Sequence, residues 1–144
     1  MTDLPQPLEL LAAGHERIEA QLCTLERLSR GAEREAAGGV LRYFDTEGVQ
    51  HHRAEDEELF PLLRRLAAER GRPEVAAVIG DLEREHATMR LQWSRLRQQL
   101  DALANGRAGA LDAEEVTRFA WLYRRHMEQE AAVVMPFAKD ALAP

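Results

Sequence analysis

Apolar residues recur along this chain at alternating spacings of three and four, the signature of helices that bury one stripe. The first row after Pro7 reads Leu8, Leu11, His15, Ile18, Leu22 and Leu25, and predicts a helix that ends near Ser29 to Gly31. The Gly38-Gly39 pair is expected to mark the start of a second helix, whose inward row is Leu41, Phe44, Gly48, His51, Glu55, Leu59, Leu62 and Leu66. Pro61 falls inside that row and should kink or loosen the helix about a turn beyond Glu55. Gly71 stops it, and Pro73 opens a third helix with the row Val75, Ile79, Leu82, His86, Met89, Trp93, Leu96, Leu100, Leu103. After a loop containing Asn105, Gly106 and Gly109, Asp112 and Glu115 have the spacing of a capping box. The fourth row, Val116, Phe119, Tyr123, His126, Glu130 and Val134, is interrupted by Pro136, with a short helical turn over Phe137 to Leu142. Such spacings pack helices nearly parallel, and short connections make neighbours antiparallel. The expected fold is all-α: an up-down-up-down antiparallel four-helix bundle over residues 1–144 as one domain.

The exceptions to the apolar rule are more informative than the rule. All five histidines of the chain, His15, His51, His52, His86 and His126, fall on or beside core positions. Glu55 lies one turn after His51, and Glu130 one turn after His126, so each pair projects from one helix face. His52 points about 100° away from His51. Counted from the predicted turns, the histidines and glutamates of the four helices share one level to within about 6 Å, at 1.5 Å rise per residue. A buried polar group without a partner costs a few kcal/mol. Imidazoles and carboxylates gathered at one level of a bundle are most economically satisfied by transition-metal ions. With two bridging glutamates and one bridging oxide or hydroxide, five imidazoles fill all but one position of an octahedral pair of ions. The vacancy suits a small ligand.

Composition narrows the field. The chain has 144 residues, 45% hydrophobic and 31% charged, as expected of a globular domain able to bury a core. A net charge of −6 argues against a nucleic-acid surface. No apolar run approaches the roughly 20 residues of a membrane span. The start, Met1 to Pro7, lacks the basic and apolar regions of a signal peptide, so a cytoplasmic location is expected. A single cysteine, Cys23, provides no disulfide and no thiolate metal site. Trp93 and Tyr123 read as packing residues, Asp56 as a supporting or solvated carboxylate, and Glu19 as a surface residue within reach of His15.

His15, the segment His51-His-Arg-Ala-Glu-Asp-Glu-Glu-Leu-Phe-Pro61, the segment Leu82-Glu-Arg-Glu-His86, and His126-Met-Glu-Gln-Glu130 resemble the hemerythrin-like, HHE cation-binding family over about residues 8 to 138. The resemblance implies two iron ions bridged by oxide or hydroxide, with zinc or manganese as substitutes. It also implies a small partner: dioxygen, nitric oxide or peroxide. By position, one iron would hold His15 and His51, the other His86 and His126, with Glu55 and Glu130 bridging. The oxygen carriers of the family have two histidines one turn apart in the third helix, where this chain has Leu82 and Arg90 beside His86. In the fourth helix they place an aspartate five residues after the histidine, where this chain has a glutamate four residues on. His52 is therefore expected to replace the missing ligand on the second iron. Two further readings stand beside a ligand-binding protein: a diiron enzyme processing peroxide or nitric oxide, and an iron-sensing or iron-delivery protein. A ferritin-like site is disfavoured, because only Glu83-x-x-His86 has the Glu-x-x-His spacing.

Overall fold

The computed structural model describes residues 6–29, 34–107 and 111–143, and side chains from Leu11 onward. The expected core position of Leu8, the helix end at Gly31 and the loop residue Gly109 lie outside what is described. Among the described residues ten helical segments follow one another: α1 (Gln6–Leu28), α2 (Arg34–Tyr43), a π turn (Phe44–Gly48), α3 (Val49–Ala54), a π turn (Glu55–Leu59), α4 (Phe60–Glu69), α5 (Pro73–Ala104), α6 (Ala113–Gln129), a π turn (Glu130–Val134) and α7 (Met135–Ala141). They form four rods: α1; α2 to α4; α5; and α6 with α7. Contacts join α1 to α2, α2 and α4 to α5, α5 to α6, and α6 to α1. The rods therefore close a ring of antiparallel neighbours, the expected four-helix bundle, and the described residues contain no strand.

Three details differ from the sequence expectation. The second rod begins at Arg34 and runs through Gly38 and Gly39. Each interior glycine costs about 1 kcal/mol against alanine, but Ala37 and Val40 on either side are fully buried. Pro61 and Pro136 loosen their helices without ending them. A proline has no N–H to donate, and its ring presses on the carbonyl four residues back. Here the preceding turn widens: Phe60 N–H donates to the Glu55 carbonyl, and Met135 N–H to the Glu130 carbonyl, both five residues back. One extra residue in the turn shifts the phase by about 100°. Beyond Glu55 the buried row is accordingly Leu59, Phe60, Leu63 and Ala67, in place of the expected Leu62 and Leu66. The fourth rod likewise continues past Pro136 as α7, burying Phe137 and Ala138.

The ends of the rods follow ordinary chemistry. Gly71 takes φ +65°, a conformation that suits glycine, and Pro73 starts α5. Asp112 caps α6 by accepting from the N–H groups of Glu114 and Glu115. The reciprocal half of the capping box is absent. The Glu115 carboxylate accepts from Gln99 Nε2, and Gln99 Oε1 takes the Asp112 N–H, so α5 and α6 are joined at this end. On the opposite flank Arg124 forks onto Glu19 and Glu26 of α1.

The core consists of two hydrophobic clusters. One gathers Ile18, Leu22, Phe44, Leu96, Leu100 and Phe119; the other gathers Leu11, Phe60, Leu63, Ile79, Leu82 and Phe137. Between them lies a layer of buried polar side chains: Glu55, His86, His126 and Glu130, none more than 2% exposed. If this partition is right, Leu96→Ala costs about 2–5 kcal/mol. Leu91→Ala on the same helix, 69% exposed, changes stability by less than about 0.5 kcal/mol. Urea denaturation of the two variants measures the contrast.

Candidate metal centre

Each rod contributes to the polar layer. α1 brings His15, α3 brings His51 and His52, and α5 brings His86; Glu55 opens one π turn, His126 lies in the last turn of α6, and Glu130 opens the next π turn. The two glutamates thus occupy equivalent places, each starting a widened turn that leads to a proline six residues on. Ligating atoms converge in two groups, each within 4.8 Å: His15, His51 and Glu130, and Glu55, His86 and His126.

The distances link the groups into one cluster. Glu55 Oε1 faces His86 Nε2 at 3.1 Å, His51 Nε2 at 3.7 Å and His126 Nε2 at 3.9 Å. Glu130 Oε1 faces His15 Nε2 at 2.9 Å and His126 Nε2 at 3.5 Å. The second oxygen of each carboxylate, Oε2, is buried without a hydrogen-bond partner among the described residues.

Carboxylates outside the layer orient two of the rings. His86 Nδ1 donates to Asp56 at 2.9 Å, and His126 Nδ1 donates to Glu85 at 3.0 Å. An ionised carboxylate only accepts, so the proton of these contacts sits on Nδ1. The two Nε2 atoms then point at each other, 3.2 Å apart. The ring of His86 is further held between Phe60 and His52, with centroids 5.9 and 4.0 Å away. No carboxylate is recorded on Nδ1 of His15 or His51 among the described residues. His51 is held by sterics: a Cβ on Gly14 would come within 2.6 Å of its Nδ1.

Electrostatics make this layer costly on its own. Burial would raise the Glu55 pKa, but hydrogen bonds from His126 and His86 and the nearby His51 outweigh it, holding the carboxyl far below its usual range. Burial opposes a charge on His126, yet Glu55 and Glu85 raise its pKa above 6.5. Burial lowers the pKa of His15 and His51. Two carboxylates with orphaned oxygens among converging imidazole nitrogens need positive charge between them, from shared protons or from cations. The donor set of nitrogen and carboxylate oxygen suits iron, zinc or manganese. Residues and metal fit.

A cleft of about 500 Å³ leads from solvent to His51 and Glu55, walled by Leu11, Gly14, Tyr43 and Leu59. His52 stands apart from both groups. Its Nε2 lies 3.0 Å from Tyr123 Oη, and its ring stacks on His86. Glu19 pairs with Arg124 and so is not placed on His15. Sequence reasoning missed Glu85 and Gly14. Glu85 serves a histidine on another rod, which no local spacing reveals. Gly14 did carry a signal, a glycine midway between the core positions Leu11 and Ile18 of a helical pattern, where close approach is a common reason.

Comparison with known proteins agrees with this geometry. The family model described as the hemerythrin HHE cation binding domain matches residues 6–138. An uncharacterized protein of Haemophilus influenzae is 26% identical over 133 residues, covering 87% of this chain and 74% of its own. No solved structure gives a significant match. Among the described residues no helix is long and apolar enough to cross a membrane.

The tight seat of His51 yields a specific expectation. Gly14→Ala should raise intrinsic helix stability by up to about 1 kcal/mol while displacing His51. The expected result is an unchanged or higher Tm of the metal-free protein with metal content reduced by about half, read by circular dichroism and elemental analysis.

Proposed function

The chain belongs to the hemerythrin HHE cation-binding family, and from that premise we propose that its buried His/Glu layer holds two iron ions and takes up a small ligand: dioxygen, nitric oxide or peroxide. The supporting observation is the pair of orphaned buried oxygens, Glu55 Oε2 and Glu130 Oε2, each on a carboxylate whose other oxygen already faces imidazoles from two or more rods. A carboxylate so placed suits bridging, with one oxygen toward each of two cations.

His15, His51 and Glu130 would hold one ion, and His86, His126 and Glu55 the other, with each glutamate reaching across. When bound, iron supplies redox capacity and open coordination positions; the remaining functions belong to the protein. Asp56 and Glu85 hold the rings of His86 and His126 through Nδ1 with Nε2 aimed inward, where each would present that nitrogen to an ion as a more basic donor. The two hydrophobic clusters exclude water above and below the layer. The more exposed half holds His15 and His51, at 16% and 12% side-chain exposure; His51 lines the cleft, which gives a diatomic molecule its approach. His52 is excluded from the ligand set in this reading, since its Nε2 is engaged by Tyr123. The second ion would then rest on His86, His126 and Glu55, without a fifth imidazole.

Anaerobic loading with ferrous iron, removal of excess metal and exposure to nitric oxide tests the proposal. We expect about two irons per chain and a new visible absorption band, both abolished by Glu55→Ala combined with Glu130→Ala. Retention of less than one iron, or a spectrum unaltered by nitric oxide, contradicts it. Rapid turnover of added peroxide by the loaded protein would move it to the enzyme class.

A further inference from the structure

A second cavity, of about 280 Å³, is lined by His52 but by none of the ligating groups named above, and is separate from the cleft at His51. Its walls are Phe44, Met89, Trp93, Phe119 and Tyr123, with His52 at the polar end. Protein interiors have few voids larger than a water molecule, whereas pockets with aromatic walls and a few polar groups are the usual form of a small-molecule site. Phe44, Met89, Phe119 and Tyr123 are otherwise buried core residues, at most 3% exposed, so the opening is built into the core.

The polar groups at this cavity are specific. Burial keeps the Tyr123 phenol protonated, pushing its pKa up, and its only hydrogen-bond partner among the described residues is His52 Nε2. Either group can donate in that bond, and the other ring nitrogen of His52, Nδ1, has no hydrogen-bond partner among the described residues. Around the rim, Asp56 is engaged by His86, and Glu57 lies 4.0 Å from Arg53. Arg90, the other rim cation, has no carboxylate partner among the described residues. The site thus offers flat apolar walls, one unpartnered imidazole nitrogen and one unclaimed guanidinium.

We propose that this cavity binds a small aromatic carboxylate, its ring among Phe44, Trp93 and Phe119 and its carboxylate against the Arg90 guanidinium. The ring supplies apolar area, while an anionic acceptor pairs with the free guanidinium. The site rests on the cavity and its polar groups, so binding does not require a particular metal. Its position has a consequence for the centre nonetheless, because His52 stacks on His86 with 4.0 Å between ring centroids.

Calorimetric titration of the full-length protein, as isolated, with 1-naphthoate tests the proposal; 1-naphthamide, the neutral isostere, serves as comparison. Saturable binding of one naphthoate per chain is expected. Arg90→Ala should weaken it about ten- to a hundredfold, the range for a hydrogen bond to a charged group. Val49→Trp, at the cavity's exposed edge, should block it. Arg118→Ala, whose side chain pairs with Glu114 outside the cavity, should leave it unchanged. Absence of saturable heat, equal affinity for the amide, or unaltered binding by Arg90→Ala in a normally folded variant would each overturn the proposal.

Discussion

Two glutamate side chains buried at the centre of an apolar bundle set the terms for the rest of this structure. Glu55 and Glu130 are 2% and 0% exposed, and an isolated buried carboxylate is far too costly to persist ionised. What offsets the cost is the ring of imidazoles around them, contributed by every rod. The same need divides the hydrophobic core into two clusters, because no apolar side chain can occupy this level. Each cluster packs well alone, and the polar layer couples them. The bundle is therefore a frame whose middle is completed by positive charge.

The widened turns at Glu55–Leu59 and Glu130–Val134 connect this constraint to the sequence. In both, a glutamate starts the turn and a proline stands six residues on. The proline removes one hydrogen bond and forces the turn open. The helix continues in a new phase, which lets Phe60 pack flat on His86 and sends Phe137 and Ala138 into the lower core. Two prolines that would break an ordinary helix are here compatible with long rods, because the bond five residues back replaces the one four back.

Much of this was legible in the chain. Heptad rows located the four rods, and the histidines that interrupted them marked the layer. The resemblance carried by His51 to Pro61 and His126 to Glu130 named the family. What remained hidden had physical causes. Periodicity assumes a constant turn, so it placed Leu62 and Leu66 in the core where the π turn places Leu63 and Ala67. Composition made Gly38-Gly39 a boundary, although burial of Ala37 and Val40 carries the helix through it. Partners across the bundle, such as Glu85 on His126 or Tyr123 beside His52, have no sequence spacing at all. The expected use of His52 as a ligand rested on counting positions; the structure turns one of its nitrogens to a phenol and the face of its ring to His86.

The central claim, that the polar layer is completed by two metal ions, is tested most directly by anomalous diffraction at the iron edge from crystals of the iron-loaded protein. The account predicts two peaks per chain, one between His15 and His51 and one between His86 and His126, with Glu55 and Glu130 within coordination distance of both. A single peak, or iron found only on the acidic surface, would contradict it.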